Sequence, residues 1–449
     1  MIKKNDILTL SVIDMGVNGE GIAKHEDIVI FVPFALIGET VKAQIINTKS
    51  SFYVAKLIEV VKASPFRIEP PCPVYKKCGG CALQHITYEK QLEFKTNLVK
   101  NNLKRIGGID AQVNSCIASN LEYGYRNKIQ MPVSQSGGGF VIGMFANYSH
   151  RIVPTNTCLL QDSETNKVIQ IVNEFMNENN ISGYNEQTGK GLVRHIVART
   201  LNNQILVVLV INGKNVKNIE KLTEKLQKSY KNFGLYLNFN QKNTNVILGD
   251  EFKHIYGLKS LTHSEYGITY NILPQSFMQV NNYIKTQIYE KVFQIIKQND
   301  FEVVIDAYSG SGLLSAMIAK VAKQVYGIEI VAPAVESANK LAKENNLTNL
   351  VNICGDCAVE LPKIISNLNT SNSCVVLDPP RKGCDKKVLE AIKKANPNMV
   401  LYISCNPATL ARDVKILTEN SQFSLNFVQP YDMFPQTPHV ETLVCFNRK

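Results

Sequence analysis

Two short segments near the C-terminus carry residues that could do chemistry together. In ISCNPATL, Cys405 directly follows a short apolar run, and in HVETLVCF a carboxylate is supplied by Glu441. Most free cysteines are small buried hydrophobes, so residue type alone does not mark Cys405 as reactive. A thiolate that adds to C6 of a pyrimidine makes C5 nucleophilic toward a methyl donor, and a base must then remove the C5 proton. Cys405 is the candidate nucleophile and Glu441 the candidate base.

A glycine-rich turn predicts where a methyl donor would bind. The string DAYSGSG follows the strand VVID and precedes a helix, so free backbone N–H groups face the turn. Glu329 ends the next strand and could hold the hydroxyls of a ribose. The string is not GxGxxG, which favours S-adenosylmethionine over a dinucleotide. Many such turns carry glycine for steric reasons only. Asp378, in DPPR, ends a further strand and is predicted to face the same crevice.

The cysteines divide into groups by their spacing. Cys72, Cys78 and Cys81 form C-x5-C-G-G-C in a proline-rich loop, and Cys158 follows much later. Four thiolates of this kind predict a site for zinc or for an iron–sulfur cluster, either of which would fix a loop that has no core of its own. The remaining cysteines other than Cys405 are predicted to be packing residues: Cys116, Cys354, Cys357, Cys374, Cys384 and Cys445.

The elements that must position these residues suggest a multidomain α/β protein. Residues 1–60 alternate apolar and polar positions between glycine turns, which predicts a small β-barrel, either OB-like or SH3-like. Residues 61–275 begin with the cysteine loop and a helix from Tyr88 and continue as an α+β domain. In residues 276–449 short apolar strands alternate with helices, which is typical of a doubly wound parallel sheet.

Composition points to a polyanionic partner. The 449-residue chain has a formal charge of +11, and residues 61–130 hold eleven basic and five acidic residues, whereas residues 1–60 are slightly acidic. Clustered basic residues bind the phosphates of nucleic acids, so we expect nucleic acid to be bound near residues 61–130, including Arg126 and Lys128. No apolar run is long enough to span a membrane, and no signal peptide is visible. We therefore expect a cytoplasmic protein.

Taken in order, the motifs resemble those of the RNA uracil-C5 methyltransferases. The matching strings are GVNGEGIAKHEDIVIFVPFALIGETV, C-x5-C-G-G-C with TCLLQD, PQSFMQVN, DAYSGSG, GIEI, DPPRKG, SCNPATLARD and HVETLVCF. The resemblance implies an OB-like TRAM barrel, a central domain with a [4Fe-4S] cluster and a Rossmann-like methyltransferase domain. It also implies that the segment of about residues 88–120 packs on the methyltransferase domain. It further implies cluster ligands at Cys72, Cys78, Cys81 and Cys158, S-adenosylmethionine contacts at Gln279, Tyr308, Glu329 and Asp378, and catalysis by Cys405 and Glu441.

The resemblance also sets the expected substrate and its alternatives. A TRAM barrel together with the cysteine set favours 23S ribosomal RNA over transfer RNA as the substrate. A cytosine-C5 RNA methyltransferase and a catalytically silent iron–sulfur RNA-binding protein are the other candidates. The target uridine must swing out of the RNA to reach Cys405, so we expect a loop target and stacking by Tyr123, Tyr125 or Phe277. We expect a monomer with no DNA or membrane partner.

Overall fold

A computed structural model describes residues 2–367 and 372–449. Its first part is a closed five-stranded barrel with strand order β1-β2-β3-β5-β4. Alternate residues such as Leu10, Val12, Val41 and Ala43 point inward and are fully or almost fully buried, which is why the period-two pattern closes on a small core. The strands are β1 (Ile7–Met15), β2 (Gly21–His25), β3 (Ile28–Val32), β4 (Thr40–Thr48) and β5 (Phe52–Lys62). The predicted barrel is confirmed.

Helix α1 (Tyr88–Arg105) crosses from the cysteine loop to the C-terminal part of the chain. It buries a stripe of four residues spaced four apart, which are Gln91, Lys95, Val99 and Leu103. The stripe packs against helix α9 (Pro407–Thr418) and against the C-terminal sheet. Two members of the stripe, Gln91 and Lys95, are polar. The apolar positions in the sequence therefore do not mark the whole buried face of α1.

A seven-stranded sheet forms the middle of the described chain, in the order β12-β11-β10-β9-β6-β7-β8. Its central strands are buried on both faces because α2 and α3 cover one face and the C-terminal unit the other. The elements are β6 (Lys128–Ser136), β7 (Gly139–Phe145), β8 (Ile152–Pro154), α2 (Ser163–Glu178), β9 (Val193–Leu201), β10 (Gln204–Ile211), α3 (Ile219–Ser229), β11 (Phe233–Phe239) and β12 (Glu251–Gly257). A hairpin of β13 (Leu261–Glu265) and β14 (Ile268–Ile272) follows.

The C-terminal unit is a second seven-stranded sheet in the described residues, ordered β17-β16-β15-β18-β19-β21-β20. The first five strands of that order are parallel, and β21 runs antiparallel to both of its neighbours. The elements are α4 (Asn282–Asn299), β15 (Val303–Ala307), α5 (Leu313–Ala319), β16 (Gln324–Glu329), α6 (Ala332–Glu344), β17 (Leu350–Cys354), α7 (Cys357–Ser366), β18 (Ser373–Leu377), α8 (Lys386–Ala395), β19 (Met399–Ser404), α9, β20 (Phe423–Tyr431) and β21 (Glu441–Arg448). The predicted doubly wound sheet is confirmed.

The chain order of the parallel strands reverses between β15 and β18. Open α/β sheets bind their ligands beyond the carboxyl ends of the strands at such a point. Within residues 2–367 and 372–449, none of the helices has the length and apolar character needed to cross a bilayer.

Candidate active site

The predicted nucleophile and one predicted cofactor contact lie at the same edge of the C-terminal sheet. Strands β15, β18 and β19 end together, because Ala307 pairs with Leu377 and Leu377 pairs with Tyr402. Asp378 directly follows the end of β18, and Cys405 directly follows the end of β19. Both residues therefore face the crevice at the point where the strand order reverses.

Glu441 reaches this edge from the opposite direction. Ser404 of β19 pairs with Thr442 of the antiparallel β21, so Cys405 and Glu441 extend from one end of the same strand pair. Glu441 is 3% exposed, whereas Cys405 is half-buried and open to the crevice. The structure thus brings together the thiol and the carboxylate that the sequence analysis selected.

The turn at Cys405 is held by its neighbours. Asn406 caps α9 by accepting a hydrogen bond from the Ala408 N–H at 3.0 Å, and Pro407 begins the helix, where its missing N–H costs nothing. The Asn406 side chain also donates to the Arg381 carbonyl at 3.0 Å. One asparagine therefore links the thiol-bearing turn to the loop that begins at Asp378.

Buried acids dominate the electrostatics of the crevice. Burial and the neighbouring Asp378 raise the pKa of Glu441 well above its usual range, and Arg381 opposes this shift. Burial and the nearby Asp306 raise the pKa of Asp378 to about 7. Burial, then Glu441, also raises the pKa of the Cys405 thiol, while Arg381 lowers it. The closed crevice therefore disfavours negative charge, and a bound cation or hydrogen-bond donor would be stabilised there.

Arg381 is a site residue that the sequence analysis did not select. The Arg381 guanidinium is the cation that lowers the pKa of both Cys405 and Glu441. A signal was available, because Arg381 stands three residues after Asp378 in the same strand-end string. Its charge counters the two neighbouring acids.

The glycine-rich turn has the geometry of a ligand cradle. Tyr308, Gly310 and Gly312 all adopt positive φ, at 68°, 56° and 81°. Glu329 accepts hydrogen bonds from the Gly310 N–H at 3.0 Å and the Val331 N–H at 2.9 Å, so its carboxylate is fixed beside the turn. A positive φ at tyrosine is unfavourable and indicates a constrained, functional backbone. A turn of this shape with an acid beside it fits an adenosyl ligand.

The segment before α4 carries Gln279 and borders the central sheet. Asn127 donates its side-chain amide to the Gln279 carbonyl at 3.0 Å, which ties this segment to the start of β6. Phe277 is 80% exposed and free to stack on a base. Tyr125 is buried, with its hydroxyl donating to the Pro435 carbonyl, so the prediction that Tyr125 stacks on RNA is wrong.

The four predicted cluster cysteines line one cavity of about 250 Å³. Burial, followed by Cys158, Cys78 and Cys72, raises the pKa of Cys81 to about 12, as expected where several thiols crowd together. Among the described residues, no three His, Cys, Asp or Glu side chains are close enough to hold one metal ion. The four thiols therefore share a cavity without converging on a single point.

The other cysteines behave as predicted with one exception. Cys116, Cys357, Cys374, Cys384 and Cys445 are buried in the cores. Cys354 is exposed at the end of β17, so the prediction that it is a packing residue is wrong. β17 is an edge strand, with no neighbouring strand on one side, and no local pattern in the sequence marks it as an edge.

Comparison with known proteins decides the family. The family model described as tRNA (Uracil-5-)-methyltransferase matches residues 87–449, and the TRAM domain model matches residues 3–58. The chain belongs to the RNA uracil-C5 methyltransferase family. It is therefore an enzyme that uses S-adenosylmethionine to methylate C5 of uracil in RNA, and its N-terminal barrel is a TRAM domain.

Relatives of the methyltransferase match it from end to end. An uncharacterized RNA methyltransferase of Clostridium acetobutylicum is 41% identical over 100% of this chain and 98% of the relative. One from Halalkalibacterium halodurans is 38% identical over 100% and 98%. The solved structure of Pyrococcus abyssi tRNA (uracil-54, C5)-methyltransferase with S-adenosyl-L-homocysteine aligns with a TM-score of 0.78 at 26% identity, covering 98% of this chain and 99% of that one.

Proposed function

We propose that this enzyme methylates C5 of a uridine in 23S ribosomal RNA through a covalent bond between Cys405 and C6. The observation that carries the covalent mechanism is the placement of Cys405 and Glu441 at one end of the β19–β21 pair, beside Asp378, and the choice of 23S RNA rests on the TRAM barrel together with the cysteine set. A nucleophile and a base on adjacent strands can act on neighbouring ring carbons of the same base.

In the proposed reaction, Cys405 forms and breaks a covalent bond to C6, and Glu441 removes the C5 proton. The Cys405 thiolate adds to C6, and the electron pair of the ring double bond moves toward O4, so that C5 becomes nucleophilic. When bound, S-adenosylmethionine would supply the methyl group from its sulfonium to C5, and S-adenosylhomocysteine would leave. Glu441 then takes the C5 proton, the ring double bond re-forms, and the Cys405–C6 bond breaks to return the thiolate.

Burial of the carboxylate strengthens the proposed base. Glu441 must be ionised to accept the C5 proton, and its raised pKa makes it a stronger base than an exposed carboxylate. Arg381 lowers the pKa of Cys405 and so favours the attacking thiolate. Glu441→Gln is expected to form the RNA adduct without releasing it, and normal turnover by this variant would remove Glu441 from the role of base.

The cofactor contacts are part of the same proposal. Tyr308 and Glu329 flank the glycine turn, and Asp378 lies across the strand reversal from them. We assign these residues and Gln279 to S-adenosylmethionine. The carboxylate of Glu329 suits the ribose hydroxyls, since it already stands fixed by two backbone N–H groups.

A [4Fe-4S] cluster is the proposed occupant of the cysteine cavity. The four thiols line one cavity of about 250 Å³, and a [4Fe-4S] cluster is held by four cysteine thiolates, which supports the assignment. Cys72, Cys78, Cys81 and Cys158 would bind it, and it would fix the irregular loop that precedes α1. Anaerobic protein should contain about four irons and absorb visible light, whereas stoichiometric zinc without iron would contradict the assignment.

The proposed domains are residues 1–60, 61–275 and 276–449. Several elements pack across these limits: α1 of the second segment packs on α9 of the third, and β14 of the second packs on α5 and α6 of the third. The cysteine region and the catalytic region are therefore expected to unfold as one cooperative unit.

Transfer RNA is the second candidate substrate, and a specific observation favours it. The Pyrococcus abyssi protein, which matches this chain almost throughout, is named for uracil 54 of transfer RNA. Separate incubations of unmodified 23S RNA and transfer RNA with methyl-labelled S-adenosylmethionine, followed by nucleoside analysis, distinguish the two. We expect labelled 5-methyluridine from 23S RNA, whereas label only in transfer RNA, or in 5-methylcytidine, would contradict the proposal.

A further inference from the structure

The loop between β20 and β21 ends at the proposed base, Glu441, and is held by parts of the chain far away in sequence. Most of its residues are buried, including Asp432, Met433 and Gln436. Four consecutive carbonyls of this loop accept hydrogen bonds from different segments: Met433 from Asn281, Phe434 from Lys95, Pro435 from Tyr125, and Gln436 from the N–H groups of both Ala82 and Leu83. The position of Glu441 therefore depends on contacts outside its own sheet.

Gln436 is the residue of this loop with the densest set of bonds. Its carbonyl accepts from Ala82 and Leu83 at 3.1 Å each, and its side chain and backbone form a reciprocal amide pair with Gln91 of α1. The Gln91 amide donates to Gln436 Oε1 at 3.0 Å, and the Gln436 N–H donates to Gln91 Oε1 at 3.1 Å.

The backbone of Gln436 is also strained. Its φ of 69° lies in the left-handed region, although it is not a glycine and is 1% exposed. Such a conformation persists only when surrounding contacts over-determine it. The contacts with residues 82, 83 and 91 supply that constraint, so loss of the pair with Gln91 should let this part of the loop relax.

The bonds of Gln436 connect the cysteine loop to the catalytic strand. Ala82 follows Cys81 directly, and Gln436 lies five residues before Glu441. We propose that Gln436 is a positioning residue that fixes Glu441 for proton abstraction by tying its loop to α1 and to the cysteine loop. This inference rests on the proposed function, in which Cys405 is the nucleophile and Glu441 the base.

Loss of the bonds of Gln436 should slow only one step of the reaction. Cys405 is held by a separate set of bonds, through Asn406 and Arg381, that does not include Gln436. Displacement of a reacting group by about 1 Å can slow a step by about 100-fold. Relaxation of the Gln436 loop should therefore slow removal of the C5 proton and leave attack by Cys405 unaffected.

Two isosteric variants test the pair from both sides. Gln91→Met removes both bonds of the pair, whereas Gln436→Met removes only the bond to Gln436 Oε1, because the other is donated by the Gln436 backbone N–H; both changes preserve side-chain length. Gln429→Met is the matched control, because the Gln429 side chain bonds to Asn114, Ser115 and Pro430 and not to Gln91 or Gln436. For each protein, the rate of turnover on uridine RNA, the KM for RNA and the fraction of denaturation-resistant RNA adduct are measured. Adduct formation with 5-fluorouridine RNA is measured in parallel, since that base cannot release its C5 substituent.

The expected result for both pair variants is a split between the two substrates. Turnover on uridine RNA should fall about tenfold or more with KM unchanged and adduct accumulating, while 5-fluorouridine trapping stays at the wild-type rate. The double variant should be no worse than Gln91→Met, because that variant already lacks both bonds of the pair.

Two results would overturn the role of Gln436, and a third would refute the proposed function. Wild-type turnover, or an equal fall in turnover and trapping, would overturn the role of Gln436, because the first shows no coupling and the second shows general loss of structure. Absence of trapping by the wild-type enzyme would instead refute the proposed function itself.

Discussion

A buried ion pair between α1 and the loop that precedes Glu441 gives the sharpest prediction on stability. Lys95 and Asp432 form this pair, and both side chains are 0% exposed. Lys95 also donates to the Phe434 carbonyl at 3.0 Å. Asp432 Oδ2 has no hydrogen-bond partner within the described ranges, so the carboxylate depends on Lys95 for its stabilisation.

Replacement of Lys95 by methionine would leave the Asp432 carboxylate buried and uncompensated. Removal of one partner of a buried pair typically lowers the free energy of unfolding by about 3–5 kcal/mol. The double variant Lys95→Met, Asp432→Asn removes the stranded charge and keeps the volume, so its loss should shrink to about 1–3 kcal/mol, the cost of a buried unpaired amide. The double variant should then be about 2 kcal/mol more stable than Lys95→Met alone.

Urea unfolding followed by circular dichroism measures these differences, provided that the slope with denaturant stays constant. Lys90→Met is the matched control, because Lys90 is on the same helix and pairs with the exposed Glu93 at 2.7 Å. That control should change stability by less than about 1 kcal/mol. If Lys95→Met were no more destabilising than Lys90→Met, the reasoning from burial would be refuted.

Three further outcomes are expected. Glu329→Gln should weaken S-adenosylmethionine binding about tenfold in calorimetry, because a charge-assisted hydrogen bond contributes about 1.5–3 kcal/mol, and an unchanged Kd would exclude the ribose contact. Turnover should rise as the pH increases, since Cys405 and Glu441 both have raised pKa values and both must lose a proton; a rate that falls with increasing pH would contradict those roles. Cys81→Ser should lose iron and visible absorbance, whereas Cys354→Ser, at an exposed site, should retain both; equal iron content in the two variants would contradict the cluster assignment.

The sheet edge at the active site was predictable because parallel strands end together. Once Asp378 and Cys405 were each placed after a strand, the regular pairing of β18 and β19 required them to be neighbours. The alternation of residues 1–60 likewise required a small barrel. The shared strand ends determined the placement in the first case, and the period of two along each strand determined it in the second.

The contacts that depend on tertiary packing could not be predicted. The stripe of α1 includes Gln91 and Lys95, which an apolar pattern assigns to solvent. They are buried because they pair with Gln436 and Asp432, which lie more than 330 residues away along the chain. Tyr125 was expected at the RNA surface, but its hydroxyl is bonded within the loop before Glu441. No local signal in a sequence reports such distant partners.

The most direct test of the central claim is covalent trapping on RNA that contains 5-fluorouridine. The wild-type enzyme with S-adenosylmethionine should form an adduct that survives denaturation, and mass spectrometry should place the bond at Cys405. Cys405→Ala should form none, while Cys384→Ala, which removes a buried thiol near Tyr402, should still form it. An adduct on the Cys405→Ala variant, or a bond mapped to another residue, would contradict the assignment of Cys405 as the nucleophile.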